Sequence, residues 1–310
     1  MSRAVVVAGA QLGPIARTER RRDVVERLLR LLRRAKAYGA GFVVFPELAL
    51  TTFFPRWKID DSQELHSYFE AEMPSPDVRP LFDEASRLNV GFYLGYAELE
   101  RTGGTEKYFN TSILVGPTGT ILGKYRKVHL PGFVDPQPDR VLQHLEKRYF
   151  EPGNLGFPVF DFMGGKVGMC ICNDRRWPET YRVLALNGAE MIVLGYNTPV
   201  GYSPDAKQNM LSDFHNHLVM QSGAYQNACW VVGVAKAGLE EGSSLIGGSA
   251  IIAPSGEIVA QARTVGDEVI VYECDFEAAA AYRRDMFDFA RHRRPDQYGI
   301  IAAPSPAGKI

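Results

Sequence analysis

The chain has 310 residues, 45% of them hydrophobic and 23% charged, enough apolar material for the core of one large domain or two ordinary ones. Thirty-five basic residues against 36 acidic ones leave a formal charge of −1, which excludes the basic excess of a dedicated nucleic-acid binder. Four cysteines without a C-x-x-C pair speak against a disulfide scaffold and a cysteine zinc site, and no apolar run approaches the roughly 20 residues that cross a bilayer.

In chain order, a valine-rich run predicts a strand over Ala4–Ala10 and a helix over about Glu19–Ala37. Val24, Val25, Leu28, Leu31, Leu32 and Ala35 give that helix an apolar stripe, so the arginines at 20–22, 27, 30, 33 and 34 read as its solvated face. A strand over Gly41–Phe45, a helix over Val78–Leu88 and strands over Val90–Tyr96, Thr111–Gly116 and Thr120–Tyr125 follow. Gly132–Arg148 has no apolar period and contains Pro136 and Pro138, so it reads as a long loop of the kind that carries function. Next come a strand over Lys166–Ile171, a helix over Pro178–Leu186 that opens on proline and stops at Asn187-Gly188, and a strand over Met191–Gly195. A helix over Ala206–Asn227 leads to strands over Trp230–Val234, Ala250–Ala253, Ile258–Ala262 and Glu268–Cys274, and then to a helix over Glu277–Arg291. This mixture predicts an α/β protein with helices covering its sheets. Residues 112–122 and 249–259 both read strand, Pro-x-Gly turn, strand, which suggests two related sheets packed face to face.

Several chemistries leave no trace. The chain has no G-x-S-x-G elbow, phosphate loop, G-x-G-x-x-G fingerprint or H-E-x-x-H. His144-Leu145-Glu146 mimics the H-x-E of zinc deaminases but lacks the P-C-x-x-C partner, so metal, nucleotide and serine-hydrolase chemistry lose weight together. Reduced thiols and the lack of a signal-like N-terminus lead us to expect a cytoplasmic protein without a membrane partner. Asn110-Thr111-Ser112 matches a glycosylation acceptor, and without a secretory route it reads as chance.

Three residues stand just beyond apolar runs, where the loops of α/β folds bring reactive groups together. Glu47 follows Phe42-Val-Val-Phe-Pro and precedes Leu48-Ala-Leu, an odd place for a solvated carboxylate. Lys127 ends Gly123-Lys-Tyr-Arg-Lys, and Cys172 ends Val167-Gly-Met-Cys-Ile-Cys. Polar residues follow Cys172 at once, whereas Cys170, Cys229 and Cys274 read as small buried hydrophobes. A thiol at a strand-to-helix elbow lies near a helix N-terminus, whose partial positive charge favours thiolate.

The blocks Phe45-Pro-Glu-Leu, Gly123-Lys-Tyr-Arg-Lys-Val-His-Leu, Cys172-Asn-Asp-Arg-Arg-Trp-Pro-Glu and Arg293-Arg-Pro-Asp-Gln-Tyr resemble the nitrilase superfamily of carbon-nitrogen hydrolases over nearly the whole chain. Within it, Pro46–Trp57, Gln143–Gly153, Cys172–Glu179 and Gly195–Pro199 look like the D-carbamoylases, the N-carbamoyl-D-amino acid amidohydrolases. The resemblance implies a four-layer αββα sandwich spanning 1–310 as one domain. It implies no cofactor, and a homodimer or homotetramer with helices and the tail from about 291 in its contacts. It implies a Glu47, Lys127, Cys172 triad with Glu146 as a second carboxylate. It places Arg175 and Arg176 on the substrate carboxylate, Asn197 and Thr198 in hydrogen bonds, and Asn173, His129 and His144 in the pocket wall. The D configuration is implied by this likeness alone. The alternatives are a nitrilase, aliphatic amidase or ureidopropionase of the same superfamily, or an inactive binding protein on the same fold. The adjacent arginines favour a carboxylate-bearing substrate.

Overall fold

Alternation along β1 (Ala4–Gln11) sets the architecture of the computed structural model, which describes residues 3–201, 203 and 205–303. Val5 and Val7 point into one apolar core while Ala8 and Ala10 point into another, as a period of two requires. β2 (Phe42–Val44), β3 (Phe69–Glu70), β4 (Gly91–Thr102), β5 (Thr105–Val115) and β6 (Ile121–Arg126) extend the first sheet. β7 (Val159–Phe162), β8 (Gly165–Ile171), β9 (Met191–Tyr196) and β10 (Trp230–Ala235) begin the second. β11 (Ala237–Glu240) and β12 (Ser243–Ile246) form a separate hairpin, and β13 (Ala250–Ile252) and β14 (Ile258–Gln261) rejoin the second sheet. β15 (Glu268–Asp275) then returns to pair antiparallel with β1. The strand orders are β15-β1-β2-β4-β5-β6, with β3 on β4, and β14-β13-β10-β9-β8-β7.

The two sheets face each other. Val7, Val44, Tyr93 and Leu114 of the first share one core with Met169, Ile171, Val193 and Val232 of the second. The outer face of the first sheet is covered by the helices Arg21–Ala37 and Arg79–Leu88, and that of the second by Pro178–Leu186 and Ser212–Asn227. Burying an apolar side chain of this size contributes about 1.5–3 kcal/mol. All six stripe residues of the first helix are buried. The result is the four-layer α/β sandwich expected from the sequence. Each sheet also contains one of the two Pro-x-Gly hairpins, β5–β6 in the first and β13–β14 in the second.

Four sequence expectations need correction. The face of the first helix is not wholly solvated, because Arg21 pairs with Glu70 at 2.5 Å and Arg27 with Asp267 at 2.7 Å. β4 and β5 are longer than predicted and meet at Gly103-Gly104, whose φ values of 60° and 79° suit a tight hairpin turn. The Ala206–Asn227 helix is interrupted at Leu211. Glu277–Arg291 is helical but not one regular helix: a tight 3-10 turn over Phe276–Ala279 runs into a wide π turn over Tyr282–Met286, and after a break at Phe287-Asp288 a short helix follows over Phe289–His292. There the Arg283 guanidinium donates to the carbonyls of Ala189 and Ala228, both at 3.1 Å, and this tertiary anchoring overrides the helical period. Of the tail, residues 304–310 lie outside the described residues. Among the described residues, no helix is long and apolar enough to cross a membrane.

Candidate active site

β8 and β9 run parallel, so their C-terminal ends open on the same edge of the second sheet and bring Cys172 beside Asn197-Thr198. β2 delivers Glu47 from the opposite sheet. The Pro46-Glu47 backbone passes so close to β9 that a Cβ at Gly195 would lie 2.1 Å from Glu47 N and 2.4 Å from Pro46 C. Only glycine fits this approach. β6 delivers Lys127, and the loop that follows turns back through His144 to a short helix starting at Glu146. Cys172 has φ 48°, a left-handed conformation uncommon for a residue with a Cβ, at the start of a tight turn over Cys172–Arg176.

Lys127 Nζ donates to Glu47 Oε1 at 2.7 Å and to Glu146 Oε2 at 2.6 Å, and all three side chains are fully buried. Asn110 Nδ2 donates to Glu47 Oε1 at 2.8 Å, and His144 Nε2 lies 2.8 Å from Glu146 Oε1. The other Glu47 oxygen accepts from Asn197 N at 2.9 Å, while the Asn197 carbonyl oxygen is 3.9 Å from Cys172 Sγ. Asn197 thus joins the carboxylate to the thiol. Beneath the thiol, Arg175 Nη1 donates to Cys172 O at 2.7 Å and lies 3.8 Å from Sγ. The turn is held by Asp174, which accepts from Ile171 N, Tyr125 OH and His129 N at 2.7–3.0 Å.

Burial, and next the Glu47 charge, push the Cys172 thiol up to about 11, against the opposing pull of Lys127 and Arg175. The thiol is therefore protonated at neutral pH and needs a base to become a nucleophile. Burial opposes the Lys127 charge, but Cys172, Glu146 and Glu47 outweigh it and raise the ammonium above its ordinary value. Burial likewise opposes the Glu146 charge, yet Lys127 and His144 hold that carboxyl below its usual range. In this arrangement a carboxylate can take the proton from the neutral thiol, and the fixed cation between the two carboxylates can stabilise an oxyanion at an attacked carbonyl.

A family model described as carbon-nitrogen hydrolase matches residues 6–284. The chain belongs to the carbon-nitrogen hydrolase family. It is 32% identical to a nitrilase of Pyrococcus abyssi over 87% of this chain and 90% of that one. It is also 32% identical to an N-carbamoylputrescine amidase of Arabidopsis thaliana over 88% of this chain and 87% of that one. A carbon-nitrogen hydrolase structure from Helicobacter pylori G27 has the same fold, with a TM-score of 0.83 at 23% identity, over 98% of this chain and 99% of that one. The nitrilase superfamily indicated by the sequence blocks is therefore the correct one, and this carbon-nitrogen hydrolase acts on amide carbon–nitrogen bonds.

Of the residues singled out from the sequence, the fold brings Glu47, Lys127, Glu146, His144, Cys172, Asn197, Thr198 and Arg175 into one connected cluster. Asn173 and His129 stand at its margin, where Asn173 Nδ2 donates to His129 O at 3.0 Å and both line a cavity of about 510 Å³ with Trp177. The adjacent arginines part company. Arg175 is buried beside the thiol and Arg176 is exposed, and both contribute to the wall of a groove between the helices Pro178–Leu186 and Ser212–Asn227. Sequence reasoning missed Asn110, Asp174 and Asn216. The signal for Asn110 was present, since Asn110-Thr111-Ser112 interrupts an apolar strand, and all three are buried. Among the described residues, no group of three or more histidine, cysteine, aspartate or glutamate side chains is placed to hold a metal ion.

Proposed function

We propose that the chain hydrolyses N-carbamoyl-D-amino acids to the D-amino acid, ammonia and carbon dioxide. Cys172 Sγ attacks the ureido carbon as Glu47 takes the thiol proton, and Lys127 with nearby backbone N–H groups receives the oxyanion. Collapse breaks a carbon–nitrogen bond and Glu47 returns the proton to the departing nitrogen. Water then attacks the thiol-bound carbonyl, giving its proton to Glu47, which passes it to Cys172 Sγ as the carbon–sulfur bond breaks, with Glu146 holding Lys127 in place. The carbamic acid that leaves loses carbon dioxide and frees the second amine.

One observation carries the substrate assignment. Arg175 is 1% exposed, and among the described residues no carboxylate lies within 4 Å of its guanidinium. A buried cation without an anionic partner is costly unless a ligand supplies one. A substrate carboxylate beside Cys172 does so, with Asn197 and Thr198 at hand for hydrogen bonds. The Arabidopsis relative, named for an N-carbamoyl amine, supports the ureido class. The D configuration rests on the likeness to D-carbamoylases. Hydrolysis of N-carbamoyl-D-phenylalanine, its L enantiomer and an aliphatic amide, with ammonia and amino acid both quantified, tests the reading. Preferred turnover of the D ureide is expected, and a preference for the L form or the plain amide overturns it.

The same reading makes the chain a homodimer or homotetramer. A second copy covers the exposed Val183, Leu186, Leu218 and Ile301 around the groove that Arg176 lines. Leu218→Arg is expected to lower the sedimenting mass, and an unchanged mass counts against this surface.

A further inference from the structure

Each nitrogen of the Arg175 guanidinium ends on a neutral acceptor: Nε on Asn216 Oδ1 at 3.0 Å, Nη1 on Cys172 O at 2.7 Å and Nη2 on Thr198 Oγ1 at 2.7 Å. Guanidinium has donors only, so the contact with Nε fixes the Asn216 amide with its oxygen toward the arginine. Asn216 Nδ2 must then donate to Tyr196 OH, 3.0 Å away. That leaves the hydroxyl hydrogen for the carbonyl of Gly247 or Gly248, each at 3.0 Å. His217 Nε2 donates to the same Gly248 carbonyl at 2.9 Å. Asn216 and Tyr196 are both fully buried, and the Tyr196 ring centroid lies 4.3 Å from the guanidinium carbon. The chain of bonds orients the arginine without placing a negative charge on it.

An aspartate would fit at position 216 with nearly the shape of asparagine. It would accept the same bond from Nε, but it would also neutralise the guanidinium from below. The amide therefore separates two jobs that a carboxylate would merge, fixing the arginine and leaving its charge for a ligand.

We infer that Asn216 determines specificity for anionic substrates, as a positioning residue that holds Arg175 while keeping its charge available on the side of Cys172. This rests on the reading of Arg175 as the partner of the substrate carboxylate. The two substrates that test it are N-carbamoyl-D-phenylalanine and 2-phenylethylurea, which is the same ureide without its carboxylate. Wild-type kcat/KM is expected to favour the acid, and equal values in the wild type would defeat the carboxylate reading and this inference with it. Given that preference, Asn216→Asp is expected to collapse the ratio of the two kcat/KM values by about tenfold or more, through a raised KM for the acid. An unchanged ratio, or equal losses on both substrates, overturns the inference while leaving Arg175 as the carboxylate partner. Melting curves check the fold of the variant. Should Asn216→Asp fail to fold, Tyr196→Phe removes the hydroxyl that fixes the amide and adds no charge. It is expected to raise KM for the acid alone, and an unchanged KM overturns the inference.

Discussion

Replacing Lys127 by methionine keeps most of the side-chain volume and removes the one charge that separates Glu47 from Glu146. The ammonium makes contacts of 2.7 and 2.6 Å to the two carboxylates, with no solvent exposure on any of the three side chains. Breaking such a buried arrangement by deleting one partner costs about 3–5 kcal/mol, because the remaining charges have neither water nor a counter-ion. Unfolding entropy of about 2.1 cal/mol/K per residue over 310 residues gives about 0.65 kcal/mol/K, so the loss corresponds to a Tm lower by about 5–8 °C. The pH dependence has a definite sign. In the wild type Glu146 is held below its usual range, so its stabilising charge is present above the unfolded carboxyl pKa and is lost as pH falls through the lowered folded value. In Lys127→Met the carboxylate has lost its cation and burial favours protonation, so the variant recovers relative to the wild type on acidification. Melting followed by circular dichroism at pH 8 and pH 5 should show the gap narrowing at the lower pH. Lys127→Met with Glu146→Gln should regain part of the loss. A gap below about 1 °C at pH 8, or one that widens toward pH 5, would refute the reasoning.

Gly195→Ala would set a Cβ 2.1 Å from Glu47 N, and the displaced carboxylate is expected to lower kcat/KM by about 100-fold; near-normal activity would contradict the close approach. Glu240→Gln leaves Lys236 and Arg56, now paired to Glu240 at 2.9 and 2.8 Å, as uncompensated buried cations. A loss of about 3–5 kcal/mol is expected in urea unfolding, and a loss under about 1 kcal/mol would show those charges to be relieved elsewhere. Thiolate absorbance near 240 nm should rise with Cys172 at a midpoint of about 11, before Cys229 at about 12. Glu47→Gln should lower the first midpoint, because the Glu47 charge raises it. A wild-type midpoint near 8.5, the value of a free thiol, would contradict the buried site.

Elements whose apolar period is set by a single buried face were legible from the sequence. The stripe from Val24 to Ala35 and the runs at β8, β9 and β10 fall where expected, because one face of a helix or both faces of a buried strand must be apolar. The segment after Phe276 was not legible, since Arg283 draws its shape from carbonyls at Ala189 and Ala228, nearly a hundred and some fifty residues earlier in the chain. Glu47, Lys127 and Cys172 stood out because a polar residue at the end of an apolar run needs a reason. Asn216 did not, because an uncharged amide in a helix resembles any solvated asparagine until its partners are known. The adjacent arginines illustrate the limit of spacing. The left-handed backbone at Cys172 and the tight turn after it send Arg175 under the thiol and leave Arg176 exposed.

The claim that Cys172 is the nucleophile is tested most directly by acid-quenching the enzyme during turnover of N-carbamoyl-D-phenylalanine and mapping the trapped adduct by peptide mass spectrometry. The account predicts an acyl group on Cys172 that forms before steady state and is absent from Cys172→Ala, which remains folded and inactive. Product formation by Cys172→Ala at the wild-type rate, or an adduct on another side chain, would contradict it.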